Sequence, residues 1–183
     1  MTTTTRMTAA EYIALPPDDR WTELIDGVVV VNEPRPRHGL AFMAMIRALQ
    51  RWMDAAPGRG VLLPPTGVDI DEHNVFAPDL LWIAGSVDPD ARLPRIPNIC
   101  IEIRSPSTWR YDLGPKRDRY REAALPELWL VDTIAESVIV QRRSKPGAPA
   151  FDVSLELSGD EQLTSPQLPG FALRVADVFQ DTP

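Results

Sequence analysis

Two acidic positions carry the first chemical signal. Pro78-Asp79 is followed, after 22 intervening residues, by Glu102 within the apolar run Ile99-Cys100-Ile101-Glu102-Ile103-Arg104. If both segments are neighbouring strands, the two carboxylates meet at one edge of a sheet and cradle Mg²⁺ or Mn²⁺. Hard cations of this kind take oxygen ligands and keep several waters, so two side chains suffice. A cation held there polarises a phosphodiester and helps generate the attacking hydroxide. Glu23 is a third carboxylate, which joins the pair if the fold carries it to Asp79. The reaction also benefits from a positive group where charge develops on phosphate. Arg104 stands two residues after Glu102, and Lys116 opens the next helical segment. Lysine is better suited to position or activate water, because its compact ammonium shifts its pKa when buried; arginine stays protonated and acts as a clamp.

The same residues have a purely structural reading. Strand alternation puts Cys100, Glu102 and Arg104 on one face and Ile99, Ile101 and Ile103 on the other. Glu102 and Arg104 then line a solvated face, and Glu23 is a charge at a strand end. Lys116 becomes one cation in a run with Arg117, Asp118, Arg119 and Arg121. Arg110, Lys116, Arg117, Arg119 and Arg121, interleaved with Trp109, Tyr111 and Tyr120, form the most basic stretch of the chain. It suits a nucleic-acid backbone, with Arg110, Arg117, Arg119 and Arg121 as the contacts, or else the polar face of an amphipathic helix. His38 and His73 are the only histidines, too few and too badly spaced for a histidine zinc site. His38 reads as a structural residue at a helix entry or as a phosphate contact. Cys100 reads as core rather than nucleophile, with no histidine near it in sequence. Walker-type, dinucleotide-binding and nucleophile-elbow motifs are absent.

The elements that must position these groups follow from pattern. Thr8-Ala9-Ala10-Glu11 has capping-box spacing and starts a short helix that Pro16-Pro17 stop. Leu24-Ile25 and Val28-Val29-Val30-Val31 flank Asp26-Gly27, the signature of a hairpin with a primed turn. A long helix is predicted over 37–56, its apolar stripe made by Leu40, Met43, Ile46, Leu49 and Met53 and widened by Phe42, Met45 and Trp52. Strands are predicted over 61–70, 79–83 and 99–104, with a loop rich in proline and charge at 85–97. A second helix is expected to start near Pro115 and run to Ala124, since proline is accepted in a first turn. A central strand at 128–131, a closing hairpin at 137–142 and 151–157, and a final helix at 175–179 complete the chain. This order implies an α/β or α+β fold, a mixed sheet with helices packed on it.

Composition sets the frame. The chain has 183 residues, 44% apolar and 25% charged, an ordinary globular balance that excludes disordered, collagenous and coiled-coil classes. One domain over 1–183 is expected, with 1–7 as a loose tail and 8–179 as the folded unit. A single cysteine rules out an internal disulfide framework. No signal peptide is legible, which points to the cytoplasm, and no stretch approaches the roughly 18 uninterrupted apolar residues of a spanning helix. The net charge of −7 argues against a chain coated with basic charge, but leaves room for a local basic stripe and for a carboxylate-rich metal site.

Taken together, several segments resemble a known family. They are Glu23-Leu24-Ile25-Asp26-Gly27, His38, Pro78-Asp79-Leu80, the run Ile99 to Arg104 followed by Ser105-Pro106-Ser107-Thr108, Asp112-Leu113-Gly114, Lys116, Tyr120, Pro126-Glu127-Leu128-Trp129-Leu130-Val131-Asp132 and Leu168-Pro169-Gly170-Phe171. The order is similar to that of the Uma2 family of restriction endonuclease-like proteins, within the PD-(D/E)XK nuclease superfamily. The resemblance implies a restriction-endonuclease-like core, a central mixed sheet flanked by helices with a divalent-metal site at its edge. It implies an Mg²⁺-dependent (or Mn²⁺-dependent) endodeoxyribonuclease, a hydrolase of DNA phosphodiester bonds. Asp79 and Glu102 would then be metal ligands, with Glu23 assisting directly or through water. The superfamily lysine, two residues after the second acid, is Arg104 here; in this family it comes from the next helix, where Lys116 stands. Lys116 is therefore the implied catalytic lysine and Arg104 its reserve. DNA is the implied partner, and a homodimer suits cleavage of both strands of a duplex. The competing function is a nuclease-fold module that binds DNA or protein without turnover.

Overall fold

A computed structural model of the chain describes residues 6–17 and 19–180. Residues 1–5 of the expected N-terminal tail lie outside the described residues. Arg6 and Met7, the rest of that tail, reach the first hairpin, where the Met7 N–H donates to the Gly27 carbonyl at 3.1 Å.

Helix α1 (Ala9–Ile13) starts in a complete capping box made by Thr8 and Glu11. Strands β1 (Thr22–Ile25) and β2 (Val28–Val31) form the predicted hairpin. Its turn residues Asp26 and Gly27 have φ of 48° and 74°, the left-handed pair that matches the twist of the flanking strands. Helix α2 (Pro36–Asp54) is followed by β3 (Val61–Leu63), β4 (Val68–Asp71), β5 (Asn74–Phe76), β6 (Leu80–Ile83) and β7 (Ile99–Ile103). Next come α3 (Trp109–Tyr111), a π-helical turn (Asp112–Lys116) and α4 (Arg117–Glu122). Strands β8 (Glu127–Asp132), β9 (Ser137–Arg142), β10 (Val153–Ser158), β11 (Gln162–Leu163) and β12 (Leu173–Arg174), then α5 (Ala176–Phe179), end the described chain.

The main sheet is six-stranded and mixed, in the order β10-β9-β8-β7-β6-β3. Among the described residues its one parallel pair is β7 with β8, and the helical segment from α3 to α4 forms the crossover that a parallel pair requires. A smaller antiparallel sheet has the order β2-β1-β5-β4. Strand β7 is buried along its whole length. Ile99, Ile101 and Ile103 pack with Ala41, Met45, Leu49 and Trp52 of α2 on one side. Cys100 packs on the other, with Tyr120 of α4 and with Ile25, Val30 and Phe76 of the small sheet. The small sheet and α4 thus close over one face of the main sheet. The central sheet with flanking helices is the expected architecture, and no helix of the described residues is long and apolar enough to cross a membrane.

Three expectations are corrected. The single strand at 61–70 is two strands in different sheets, because Pro64-Pro65 supply no ladder donors and the chain turns there. The second helix begins at Trp109, six residues before Pro115, and Pro115 lies inside the wide π-helical turn. Proline cannot donate to the carbonyl one turn back, and a π turn is where a helix absorbs such a break. Finally, α2 is rotated relative to its bulky stripe. Leu40 and Met43 are 41% and 46% exposed, while His38, Ala41, Ala44, Met45, Ala48, Leu49 and Trp52 face inward. The three alanines allow close approach to the sheet, and that packing outweighs placing every large side chain inside.

Candidate active site

Antiparallel pairing of β6 with β7 places Leu80 opposite Ile101 and Leu81 opposite Cys100. One further step of that register sets Asp79 opposite Glu102, on the face they share with Leu81 and Cys100. The Ile103 N–H donates to Asp79 Oδ2 at 2.7 Å, which fixes the aspartate at the end of the ladder. Sequence spacing alone left open whether the two carboxylates meet or merely share a solvated face. They are 4% and 3% exposed, so the solvated reading fails.

Glu23 arrives from the small sheet. It sits on β1, 4% exposed, and its Oε1 accepts the Ala77 N–H at 2.8 Å. That bond joins Glu23 to the segment leading into Asp79. Lys116 comes from the crossover, at the end of the π-helical turn. It is 1% exposed. Its Nζ lies 2.7 Å from Glu102 Oε1, 2.8 Å from Glu23 Oε1 and 3.2 Å from Asp112 Oδ1. Phe76 covers it, with the ring centroid 5.5 Å from Nζ. Lys116 is therefore no solvated member of a basic run; one ammonium ties three elements together.

Arg104 goes elsewhere. Its Nη1 donates to both Asp132 oxygens, at 2.9 and 2.8 Å, beside the Trp109 ring. The strand arginine and the helix lysine thus occupy different surroundings, and only Lys116 touches Glu102. Arg110 lies over the Tyr111 ring. Arg119 donates from Nε and Nη2 to Asp26 Oδ1 and pairs with Glu122. Arg117 and Arg121 both reach Asp118. These four cations are exposed or half-buried, whereas Lys116 is buried.

Three further participants carry no metal or catalytic role in the sequence, where His38 reads as structural or as a phosphate contact and Asp112 and Tyr120 stand among the motifs of the resemblance. His38, 5% exposed in the first turn of α2, places Nε2 at 2.9 Å from Asp79 Oδ1. The Tyr120 hydroxyl donates to Glu102 Oε1 at 2.7 Å. Asp112 adds a fourth carboxylate, and the Thr108 hydroxyl donates to its Oδ2. His38 was visible as a lone histidine at a helix start, and Tyr120 and Asp112 fall at steps of four from Lys116. A helix predicted to begin at Pro115 hides the second of these relations.

The electrostatics follow from dense charge in a dry place. Burial pushes the Glu102 carboxyl well above its ordinary range; Lys116 opposes this, while Asp112, Glu23 and Asp79 add to the rise. Burial likewise raises Asp112 to about 6 against the pull of Lys116. For Lys116 burial disfavours the charge, but Glu102, Glu23 and Asp112 outweigh it and hold the pKa well above that of free lysine. Lys116 is thus a firm ammonium, suited to stabilising anionic charge and orienting water rather than to accepting a proton. Burial and then Glu102 raise the Tyr120 phenol, which stays a donor. Burial also raises the Cys100 thiol, and at 0% exposed it is core, as expected.

A divalent cation fits the donor set in one specific sense. Four acids, Glu23, Asp79, Glu102 and Asp112, share one ammonium, and excess negative charge in a buried site favours a cation. Both contacts to Glu102 described above fall on Oε1, as do both to Glu23, so Oε2 of each stands outside them. Among the described residues, no three His, Cys, Asp or Glu side chains already form a metal cage. Mg²⁺ asks for less than a cage, since one or two carboxylates and several waters are its usual complement.

With this geometry in view, the comparisons with known proteins fall into place. Residues 9–176 match the Uma2 family, described as "Putative restriction endonuclease". The chain belongs to the Uma2 family. The likeness extends to three dimensions. A crystal structure of "a putative nuclease belonging to DUF820 from Anabaena variabilis" is 17% identical in sequence. It superposes with a TM-score of 0.78, covering 94% of this chain and 97% of that one. At such identity the match establishes the fold. No curated protein matches the chain. For this Uma2 protein, then, the central sheet and its helices are those of a nuclease-like fold.

Proposed function

We propose that this Uma2 protein is a cytoplasmic, divalent-metal-dependent endonuclease that hydrolyses DNA phosphodiester bonds. The observation that carries the reading is the buried Lys116 ammonium, bonded to Glu23 and Glu102 while Asp79 stands opposite Glu102 across the β6–β7 pair. In this proposal Asp79 and Glu102 hold Mg²⁺ or Mn²⁺, with Glu23 assisting directly or through water. A cation bound there supplies Lewis-acid polarisation of the phosphodiester and lowers the pKa of attacking water. The protein's own groups do the rest. His38 and the Ile103 N–H hold Asp79 in place through its two oxygens. Tyr120 orients Glu102. Lys116, charged throughout, stabilises the pentavalent phosphate and orients the water. Arg110, Arg117, Arg119 and Arg121 are the proposed backbone contacts. Arg104, already paired with Asp132, is the reserve for charge stabilisation. A homodimer would deliver two such sites to a duplex.

The alternative, a nuclease-fold module that binds without turnover, draws on the three acids that pin Lys116. Metal-dependent stability separates the two. A ligand that binds only the folded state at a hundredfold excess over Kd stabilises by about 2.7 kcal/mol, roughly 5–10 °C in Tm for a chain of this size. Mn²⁺ is expected to raise the wild-type Tm and to support cleavage of DNA. Asp79→Asn and Glu102→Gln each remove a repelling buried charge, so both should keep their metal-free Tm but lose the Mn²⁺ response and cleavage. A wild type with neither a Tm shift nor cleavage would leave the binding module as the function.

A further inference from the structure

An open groove of about 570 Å³ runs from the candidate acids to the surface. Glu23 and Asp79 line its inner end, while Trp21, Asn32, Phe42 and Pro65 line the way out. We propose that this groove receives an unstacked nucleobase of the strand being cleaved, with Trp21 as its stacking platform and Asn32 reading a donor on its edge. The inference rests on the nuclease reading and adds how the substrate is gripped.

Four observations support it. Trp21 is 56% exposed, although it directly precedes β1 and stands two residues from Glu23. A lone exposed indole is ordinary on a protein surface, but this one lines the groove that Glu23 and Asp79 also line. Its backbone is not loose, because the Asn32 N–H donates to the Trp21 carbonyl at 2.8 Å and extends the hairpin by one bond. The same Asn32 has a buried Oδ1 that accepts no hydrogen bond. An unsatisfied buried acceptor is costly unless something donates to it; Oδ1 is closed to solvent as it stands, so it meets the N–H that every nucleobase carries on its pairing edge once the amide turns toward the groove. Phe42 lines the groove as well; it is stacked on His38, with 6.4 Å between ring centroids, and His38 in turn grips Asp79. Finally, the groove is continuous with the acids. A phosphate bound at Asp79 and Glu23 would therefore have this groove beside it. Base-on-aromatic stacking tolerates any sequence, because every base has a π-face.

A base in the groove must leave its stack, so single-stranded substrate is favoured over intact duplex. The test uses a fluorescent single-stranded oligothymidylate and an abasic deoxyribose-phosphate oligomer of equal length, which carry the same charge and differ only in bases. Binding of both is measured by anisotropy in Ca²⁺, and cleavage of the oligothymidylate in Mn²⁺. The wild type should prefer the oligomer with bases, and Trp21→Ala should shrink that preference about tenfold, the size of one stacked base. Trp21→Phe should recover most of it, because the conservative variant keeps a platform. If the wild type cleaves the oligothymidylate but Trp21→Ala keeps the full preference, the groove is not a base site and the nuclease reading stands. If the wild type neither cleaves nor binds either oligomer, the nuclease reading fails and this inference with it.

Discussion

Lys116 is the residue on which most of the site depends, and its energetics follow from where it sits. Removing one partner from a buried ion pair leaves uncompensated charge and costs about 3–5 kcal/mol. Lys116→Met is therefore expected to lose stability on that scale near neutral pH, measured by urea unfolding, and to abolish cleavage. The loss should shrink in acid, where Glu102 and Asp112, both raised by burial, accept protons first. In the wild type the raised lysine pKa contributes stability fully below the ordinary lysine range. That contribution disappears only as pH climbs through the folded-state value. Asp112 has the opposite sign. Its folded pKa of about 6 lies above the ordinary aspartate value of 3.8, so the folded state binds more protons between those values and stability falls as pH rises through that window. Asp112→Asn removes the titration. The stability of the wild type relative to this variant should decline between pH 4 and 6 by on the order of 2 kcal/mol and level off above. A difference that stays flat across that window would show that Asp112 does not titrate as its burial dictates.

At the scale of elements, the π-helical turn and the β1–β2 hairpin decide what the basic stretch can do. The wide turn at Asp112–Lys116 brings Lys116 inward, while the four-residue step onward to Tyr120 keeps both side chains over Glu102. Arg119 and Arg121 of α4 face outward instead, at 35% and 42% side-chain exposure, paired with Asp26, Glu122 and Asp118. Exposed pairs of this kind contribute little stability, so a phosphate can replace a carboxylate partner at small cost. Arg119→Ala with Arg121→Ala should leave urea stability almost unchanged while lowering the salt slope of DNA binding by about one unit per lost contact. An unchanged slope would place the DNA backbone on another surface.

At the scale of the whole molecule, the site is also a joint. Glu23 belongs to the four-stranded sheet, Glu102 to the six-stranded sheet and Lys116 to the crossover between β7 and β8. The apolar cluster of Ile25, Phe76, Cys100, Tyr120 and Leu128 spans the same three parts. Neither sheet buries its inner face without the other, so unfolding should be a single event. Urea transitions followed by far-ultraviolet circular dichroism and by tryptophan fluorescence should coincide, as two-state behaviour requires. Separate transitions would mean that the small sheet opens alone.

Much of this was legible in the residues themselves. Asp26-Gly27 between two apolar runs dictates a primed hairpin, Thr8 and Glu11 dictate a helix start, and the branched run at 99–103 dictates a strand, because turns, caps and alternation are local properties; that both faces of that strand are buried is not local. The order of acidic and basic motifs likewise carried the family resemblance. Sequence could not settle which cation meets Glu102, since Arg104 and Lys116 were both within reach. The fold settled it by giving Arg104 to Asp132 and burying Lys116 among the acids. Nor could it set the rotation of α2, which brings His38 to Asp79, or place Asp112 at the site through a helix that starts before Pro115. Those outcomes depend on contacts between residues up to tens of positions apart. Only packing two sheets around one crossover chooses among them.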